Sequence, residues 1–98
     1  MFTAIVKYQL PGPVPRDAML AAFKAAEDRF AGVPGLVRKY FAYDEAAHCG
    51  HSVYLWECEE QARTFFDESF VQAMQDKFGA TPEWYGVDTL LVVDGPAT

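Results

Sequence analysis

Two histidines flank a cysteine and a glycine in the stretch His48, Cys49, Gly50, His51, and an aromatic run from Ser52 to Trp56 follows at once. Imidazole and thiolate are the ligand types that zinc-like metals take, and a His-x-x-His spacing occurs in such sites. A closed site needs a fourth ligand. Asp44 and Glu45 are the nearby carboxylates and suit harder ions, and the two-pair spacing of structural zinc sites is missing, so no metal is expected. A cysteine nucleophile needs a hydrogen-bonded base, and neighbours in sequence do not supply that geometry. The stretch therefore reads first as a turn into a strand, with Gly50 supplying an unusual backbone angle. The imidazoles are still the only side chains whose ordinary pKa lies near neutrality. If a proton acceptor is needed, His51 at the strand entrance is the first candidate and His48 the second.

The rings form a second group with chemical potential. Tyr40, Tyr54, Trp56, Trp84 and Tyr85 carry polar tips, and Tyr40, Tyr54 and Trp56 could share one sheet face. Such a set suits a flat apolar ligand held by few hydrogen bonds, with a phenol hydroxyl donating to a carbonyl or an oxyanion. Phe23, Phe66, Phe70 and Phe78 would form the opposing wall, or simply core. Of Arg38 and Lys39, adjacent in mid-strand, one is expected to meet a partner subunit and pair with Glu57 or Asp88, or else to snorkel at an edge. No glycine-rich phosphate loop is present, and two histidines in one loop do not make a Ser-His-Asp arrangement.

These residues need a frame. Phe2 to Leu10 alternates as a strand, and three prolines between Pro11 and Pro15 stop it. Arg16 to Phe30 carries Met19, Phe23, Ala26 and Phe30 at helical spacing, and Ala31-Gly32 ends it. Leu36 to Asp44 is a second strand with rings on both faces, and Ser52 to Cys58 a third. Glu59 opens a helical region that Asp67 to Ser69 breaks into two pieces and Gly79 ends. Trp84 to Val93 is the last strand, and Asp94 to Thr98 a frayed tail. The order β-α-β-β-α-β is the ferredoxin-like α+β arrangement, a four-stranded antiparallel sheet with helices on one face, in a single domain over residues 1–98.

The bulk numbers narrow the class. Of 98 residues, 51% are hydrophobic and 15% aromatic, and the net charge is −6. The eight basic residues are scattered from Lys7 to Lys77, which argues against nucleic acid and anionic membrane surfaces. Cys49 and Cys58 would stand roughly 20 Å apart along one strand at about 3.3 Å per residue, too far to bridge. With no leader and no apolar run near 18 residues, the cytoplasm is the expected location. Helices cover one face of such a sheet, yet most strands are apolar on both. The bare face predicts a homodimer packed sheet against sheet.

From Trp56 to Met74 the sequence resembles the dimeric α/β-barrel superfamily, and most nearly the YdhR-like branch related to the antibiotic-biosynthesis-type monooxygenases. The resemblance rests on the strand ending Tyr54, Leu55, Trp56, Glu57, the acidic helix start, and Ser69, Phe70, Val71, Gln72 about a dozen residues on. Val33, Pro34, Gly35 and Leu36 entering the second strand, with Lys39 and Tyr40 inside it, add to the match. The resemblance implies a dimeric α/β barrel with an aromatic-walled pocket in each subunit. It also implies oxidation of a small aromatic or polycyclic compound by dioxygen with no metal, flavin or other cofactor. The protein's part would be to bind a flat molecule, help remove a proton and keep water from the reactive anion. Several relatives carry a histidine on the second helix, where Phe65 and Phe66 stand here. The expected site is therefore His51, Tyr54 and Tyr40 as catalytic residues, with Trp56, Phe23, Phe66, Phe70, Trp84 and His48 binding substrate. The rival expectation is a non-catalytic ligand-binding or stress-response dimer. Haem binding is a third reading, disfavoured by the missing histidine.

Overall fold

A computed structural model describes residues 1–96. Its elements run β1 (Phe2–Gln9), α1 (Arg16–Ala31), β2 (Leu36–Asp44), β3 (Cys49–Trp56), α2 (Glu59–Phe65), α3 (Glu68–Phe78) and β4 (Glu83–Asp88). The four strands form one antiparallel sheet in the order β2-β3-β1-β4. This is the ferredoxin-like α+β fold expected from the sequence, with the second helical region in two pieces. Among the described residues no helix is long and apolar enough to cross a membrane.

The break between α2 and α3 has a local cause. The Asp67 carboxylate accepts from the Phe70 backbone N–H at 3.0 Å and from the Ser69 hydroxyl at 2.8 Å. It thus caps α3 just where α2 stops. These bonds hold the Asp67 carboxyl below its ordinary range, the Ser69 hydroxyl foremost. At the other end Gly79 adopts a left-handed conformation with φ 65°, and its N–H returns to the Gln75 carbonyl at 2.9 Å.

Register decides which side chains meet the helices. Ala4 stands opposite Tyr54 and Gly86, and Val6 opposite Ser52 and Trp84. Lys39 pairs with Tyr54, and Phe41 with Ser52. Period-two alternation then puts Phe2, Ala4, Val6, Tyr8, Lys39, Phe41, Tyr43, Ser52, Tyr54, Trp56 and Trp84 on the helix-facing side. Phe2, Ala4, Val6, Tyr8, Tyr54 and Trp56 are buried and form the centre of the core. Ile5, Arg38, Tyr40, His51, Val53, Leu55, Tyr85 and Val87 take the outer side.

The third and last strands depart most from the sequence reading. The third strand starts at Cys49 because Gln9 and Asp44 still pair there, and it ends at Trp56. Cys58 instead caps α2 in an extended conformation. The last strand stops at Asp88, not Val93. Its neighbour β1 begins at Phe2, opposite Asp88, and a last bond from the Thr89 N–H to the Met1 carbonyl exhausts the edge. Leu90 to Val93 have no strand to pair with and run on without regular structure. Asp94 to Pro96 are irregular, and residues 97 and 98 of the expected frayed tail lie outside the described residues.

Candidate functional site

The turn ends at His48, and Cys49, Gly50 and His51 already belong to β3, so Gly50 is not its hinge. The Asp44 carboxylate accepts from the Ala47 N–H at 3.1 Å, and His48 itself takes the left-handed conformation at φ 54°. The His48 carbonyl accepts from the Leu10 N–H at 2.8 Å and from the Gln9 side chain at 3.1 Å. Gly50 is small for another reason: a Cβ there would run into the Tyr8 ring packed across the strand pair. Cys49 is buried and Cys58 exposed, and both are free thiols. The Glu45 carboxylate accepts from the Arg16 N–H at 2.8 Å.

The site lies elsewhere, between the sheet and the helices. A half-open cavity of about 910 Å³ is walled by Phe23 and Phe30 of α1, Phe41 of β2, Tyr54 of β3, Phe65 of α2 and Phe70 and Phe78 of α3. Its origin is legible in the packing. The α1 stripe buries Met19 and Ala26, but Phe23 and Phe30 stay half-buried because they face open space. Phe41 meets them both, at 4.8 Å from Phe23 and edge-on at 5.6 Å from Phe30. Phe65 and Phe70 close the opposite wall at 5.5 Å from one another. Rings at these separations hold their places through offset and edge contacts. A cavity of this size and lining is in the range that takes a drug-sized, mostly apolar ligand.

The polar groups inside are few. Tyr54 is 1% exposed, and Ser52 and Tyr8 are also buried. All three line the cavity, and among the described residues their hydroxyls do not belong to the side-chain atoms that are both sealed from solvent and unpartnered. Burial, the foremost cause, pushes the Tyr8 phenol up to about 12 and raises the Tyr54 phenol further. Both therefore stay protonated donors at neutral pH. The exposed charges Arg29, Glu60, Asp67, Asp76 and Lys77 lie around the rim.

One inner group was not anticipated. Lys39 points into the cavity, its Nζ 3.4 Å from the centre of the Phe30 ring, 3.9 Å from that of Phe41 and 4.6 Å from that of Tyr54. Neither ion pair among the described residues involves it. Burial lowers its pKa from 10.5 to about 6, with the nearby cations Arg29 and Lys77 adding to the fall. That fall corresponds to roughly 6 kcal/mol, at about 1.4 kcal/mol per pH unit. Cation–π contact favours the ammonium by only about 1–2 kcal/mol. Desolvation outweighs it, so the amine holds its proton far less tightly than an ordinary lysine and stands in an aromatic cage as a proton acceptor.

The expected site residues divide accordingly. Phe23, Phe70 and Tyr54 line the cavity. Trp56, Phe66 and Trp84 do not; they pack behind it, with Phe66 4.6 Å from Trp84 and Trp56 stacked on Tyr54 at 5.8 Å and 5°. The Trp56 indole N–H is a buried donor without a partner among the described residues. Tyr40 does not share the face of Tyr54 and Trp56, because it pairs with Val53 rather than Tyr54. It lies on the outer side, 54% exposed, and accepts from Arg38 at 3.3 Å. Arg38 approaches Asp94 at 3.8 Å rather than Glu57 or Asp88. His51 pairs with Lys7 and Ala42 on that same outer side, and His48 stays in the turn; neither lines the cavity. The sequence signal that could have found Lys39 was its parity with Phe41 and Tyr43. Because both faces of the strand carry rings, that parity alone did not say which face met the helices.

No protein-family model and no curated protein matches the sequence. Solved structures do. A cofactor-independent oxygenase, SnoaB from Streptomyces nogalater, matches with a TM-score of 0.66 at 14% identity, over 96% of this chain and 97% of that one. A single-residue mutant of the same protein matches with a TM-score of 0.65 at 14% identity, over the same shares of the two chains. The structural-genomics protein YJCS matches with a TM-score of 0.65 at 13% identity, over 92% of this chain and 100% of that one. Over nearly its whole length, the chain shares the fold of these proteins.

Proposed function

We propose that this protein is a cofactor-independent monooxygenase acting on a small aromatic or polycyclic compound, of the YdhR-like kind, in the cytoplasm. The observation that carries the reading is the cavity of about 910 Å³. Its eight aromatic side chains match a flat ring system, and its inner polar groups are phenols, one serine hydroxyl and one amine. The SnoaB-like fold gives the reading its chemistry. In an anthrone-type substrate a ring methylene and dioxygen become a carbonyl and water, so the substrate supplies all the electrons. The protein lowers the barrier by removing a proton, holding the resulting anion and excluding water. In this reading Tyr54 donates to a carbonyl or oxyanion; its place in the lining and its retained phenol proton support the assignment. Oxygen-electrode measurements with a panel of anthrones and quinols, in metal-chelated and flavin-free buffer, test this reading. Stoichiometric oxygen uptake with quinone formation is expected. Binding of panel members without uptake would leave a ligand-binding protein of the same fold.

The assembly we propose is a homodimer through the outer sheet face. Tyr40, Tyr85 and Val87 are each more than half exposed there, beside half-buried Ile5, Val53 and Leu55. The segment after β4 adds Leu90, Leu91 and Val93 at 93%, 80% and 79% exposure. So much exposed apolar surface is what a second copy would cover.

A further inference from the structure

Among the described residues the inner amine of Lys39 has no carboxylate partner, and the charges that act on it most are of its own sign. We propose that the cavity takes its ligand as an anion: an aromatic hydroxyl compound gives its proton to Lys39 Nζ and binds as the phenolate, or enolate, beside the ammonium so formed. The inference rests on the aromatic-ligand reading of the cavity and names its ligand class and its proton acceptor.

The geometry carries it in three steps. First, Nζ stands inside the ring cage of Phe30, Phe41 and Tyr54, with the cavity on its open side. A flat ring entering between those walls brings its hydroxyl to that basic atom. Second, burial foremost, and then Arg29 from α1 and Lys77 from α3, lower the affinity of Lys39 for a proton. The same two cations stabilise an anion, so the ligand is the counter-charge that the protein does not provide. Third, the other titratable groups do not compete. Tyr8 of β1 and Tyr54 of β3 are neutral phenols and can donate to the phenolate oxygen. Glu60 of α2, Asp67 between α2 and α3 and Asp76 of α3 are exposed at the rim, and none pairs with Lys39. The step balances within the site: the O–H bond breaks, its electron pair stays on oxygen, and the proton forms an N–H bond on Nζ. A charge-assisted hydrogen bond then joins two groups that entered neutral. Lys39 would touch the ligand and so count as a catalytic residue of an oxygenase that starts from the anion.

The test is an anaerobic absorbance titration with a monohydroxyanthraquinone, whose band moves to the red on ionisation, and with its methyl ether, which cannot ionise. Both probes already carry the quinone carbonyls, so no oxygen chemistry enters the readout. At a pH where the free probe is neutral, the wild-type protein is expected to bind it with the phenolate spectrum. It should do so roughly tenfold or more tightly than the ether. Lys39→Met should remove the red shift and bring the two affinities within about twofold. Lys39→Arg keeps a cation but cannot accept a proton, so any phenolate it binds should release one proton to the buffer, whereas the wild-type protein should take that proton up and release none. A neutral spectrum on wild-type protein, no binding, or a red shift that survives in Lys39→Met each overturns the proposal. A failed oxygen-uptake panel together with a Lys39-dependent red shift would remove the oxygenase reading alone.

Discussion

The ε-amine of Lys39 sits 3.4 Å from the centre of the Phe30 ring, across the gap between β2 and α1. That contact ties the sheet to the helix layer and places an ionisable group where water is scarce. Its first consequence is for stability. In the fold Lys39 titrates near 6, whereas in the unfolded chain it titrates near 10.4. Between those values the unfolded state binds more protons, so stability rises with pH across the window and the amine costs most below it. Lys39→Met should therefore stabilise the fold at pH 7 by on the order of 2–4 kcal/mol. The gain should shrink as pH approaches 10, as read from urea midpoints at a series of pH values. A wild-type-to-mutant difference that does not change with pH would mean that Lys39 is protonated in the fold.

Tyr54 and His51 form a contrasting pair on one strand. Tyr54 faces the cavity from β3, and its hydroxyl can donate to a bound carbonyl or oxyanion. Tyr54→Phe should lower kcat by roughly 10–100-fold, the effect of removing one positioned donor, and leave the melting temperature nearly unchanged. His51 is three residues away on the outer face. His51→Ala should alter the rate by less than about twofold, as surface substitutions away from a site do. Steady-state kinetics on the two variants side by side check both, and a large loss in His51→Ala would restore the histidine as a candidate base.

The same pair shows what the sequence could and could not reveal. Alternation in Phe2–Leu10, the helical stripe of Met19, Phe23, Ala26 and Phe30, and the Asp67 and Gly79 punctuation carry local physics. Each appears in the structure close to where it was read. Facing is different. Leu36–Asp44 has rings on both sides, so its parity could be assigned only from register, and register depends on where β1 and β3 pair. Tyr40 and Lys39 consequently exchanged roles: the tyrosine lies outside and the lysine within. The break after Asp88 was also hidden, because Leu90 to Val93 have strand-forming side chains but no neighbour to pair with.

The cavity can be closed without touching its inner groups. Ala73 lies on α3, is exposed, and lines the cavity beside Phe70 and Met74. Ala73→Trp should place an indole in the opening while the helix keeps its caps. Binding of a hydroxyanthraquinone should weaken by roughly tenfold or more, at about 1.4 kcal/mol per tenfold, with thermal stability preserved. Unchanged affinity by titration would locate the ligand elsewhere on the protein.

Gly50 tests the strand pair that supports the cavity floor. Tyr8 crosses Gly50, and its ring goes on to meet Phe78 of α3 at 5.2 Å. A methyl group at Gly50 would displace that ring toward α3. Gly50→Ala should destabilise the protein by about 1–3 kcal/mol through overpacking and weaken ligand binding as Phe78 shifts. Gly95→Ala, where a Cβ meets nothing within 4 Å, is the matched control. Urea denaturation of the two variants separates a packing effect from a general intolerance of glycine replacement.

The outer face yields the prediction about assembly. Val87 is 54% exposed in the subunit, directly across from Thr3 and flanked by Tyr85. A carboxylate buried there in a sheet-to-sheet dimer would lie unpaired among apolar side chains, costing several kcal/mol. In an isolated subunit the same side chain would remain in water and cost little. Val87→Asp should therefore shift the protein from dimer to monomer in sedimentation velocity at micromolar concentration, and leave far-ultraviolet circular dichroism unchanged. A wild-type protein that already sediments as a monomer would remove the dimer altogether. Asp at 87 in a protein that stays dimeric would move the contact to another surface, with the Leu90–Val93 segment the next to substitute.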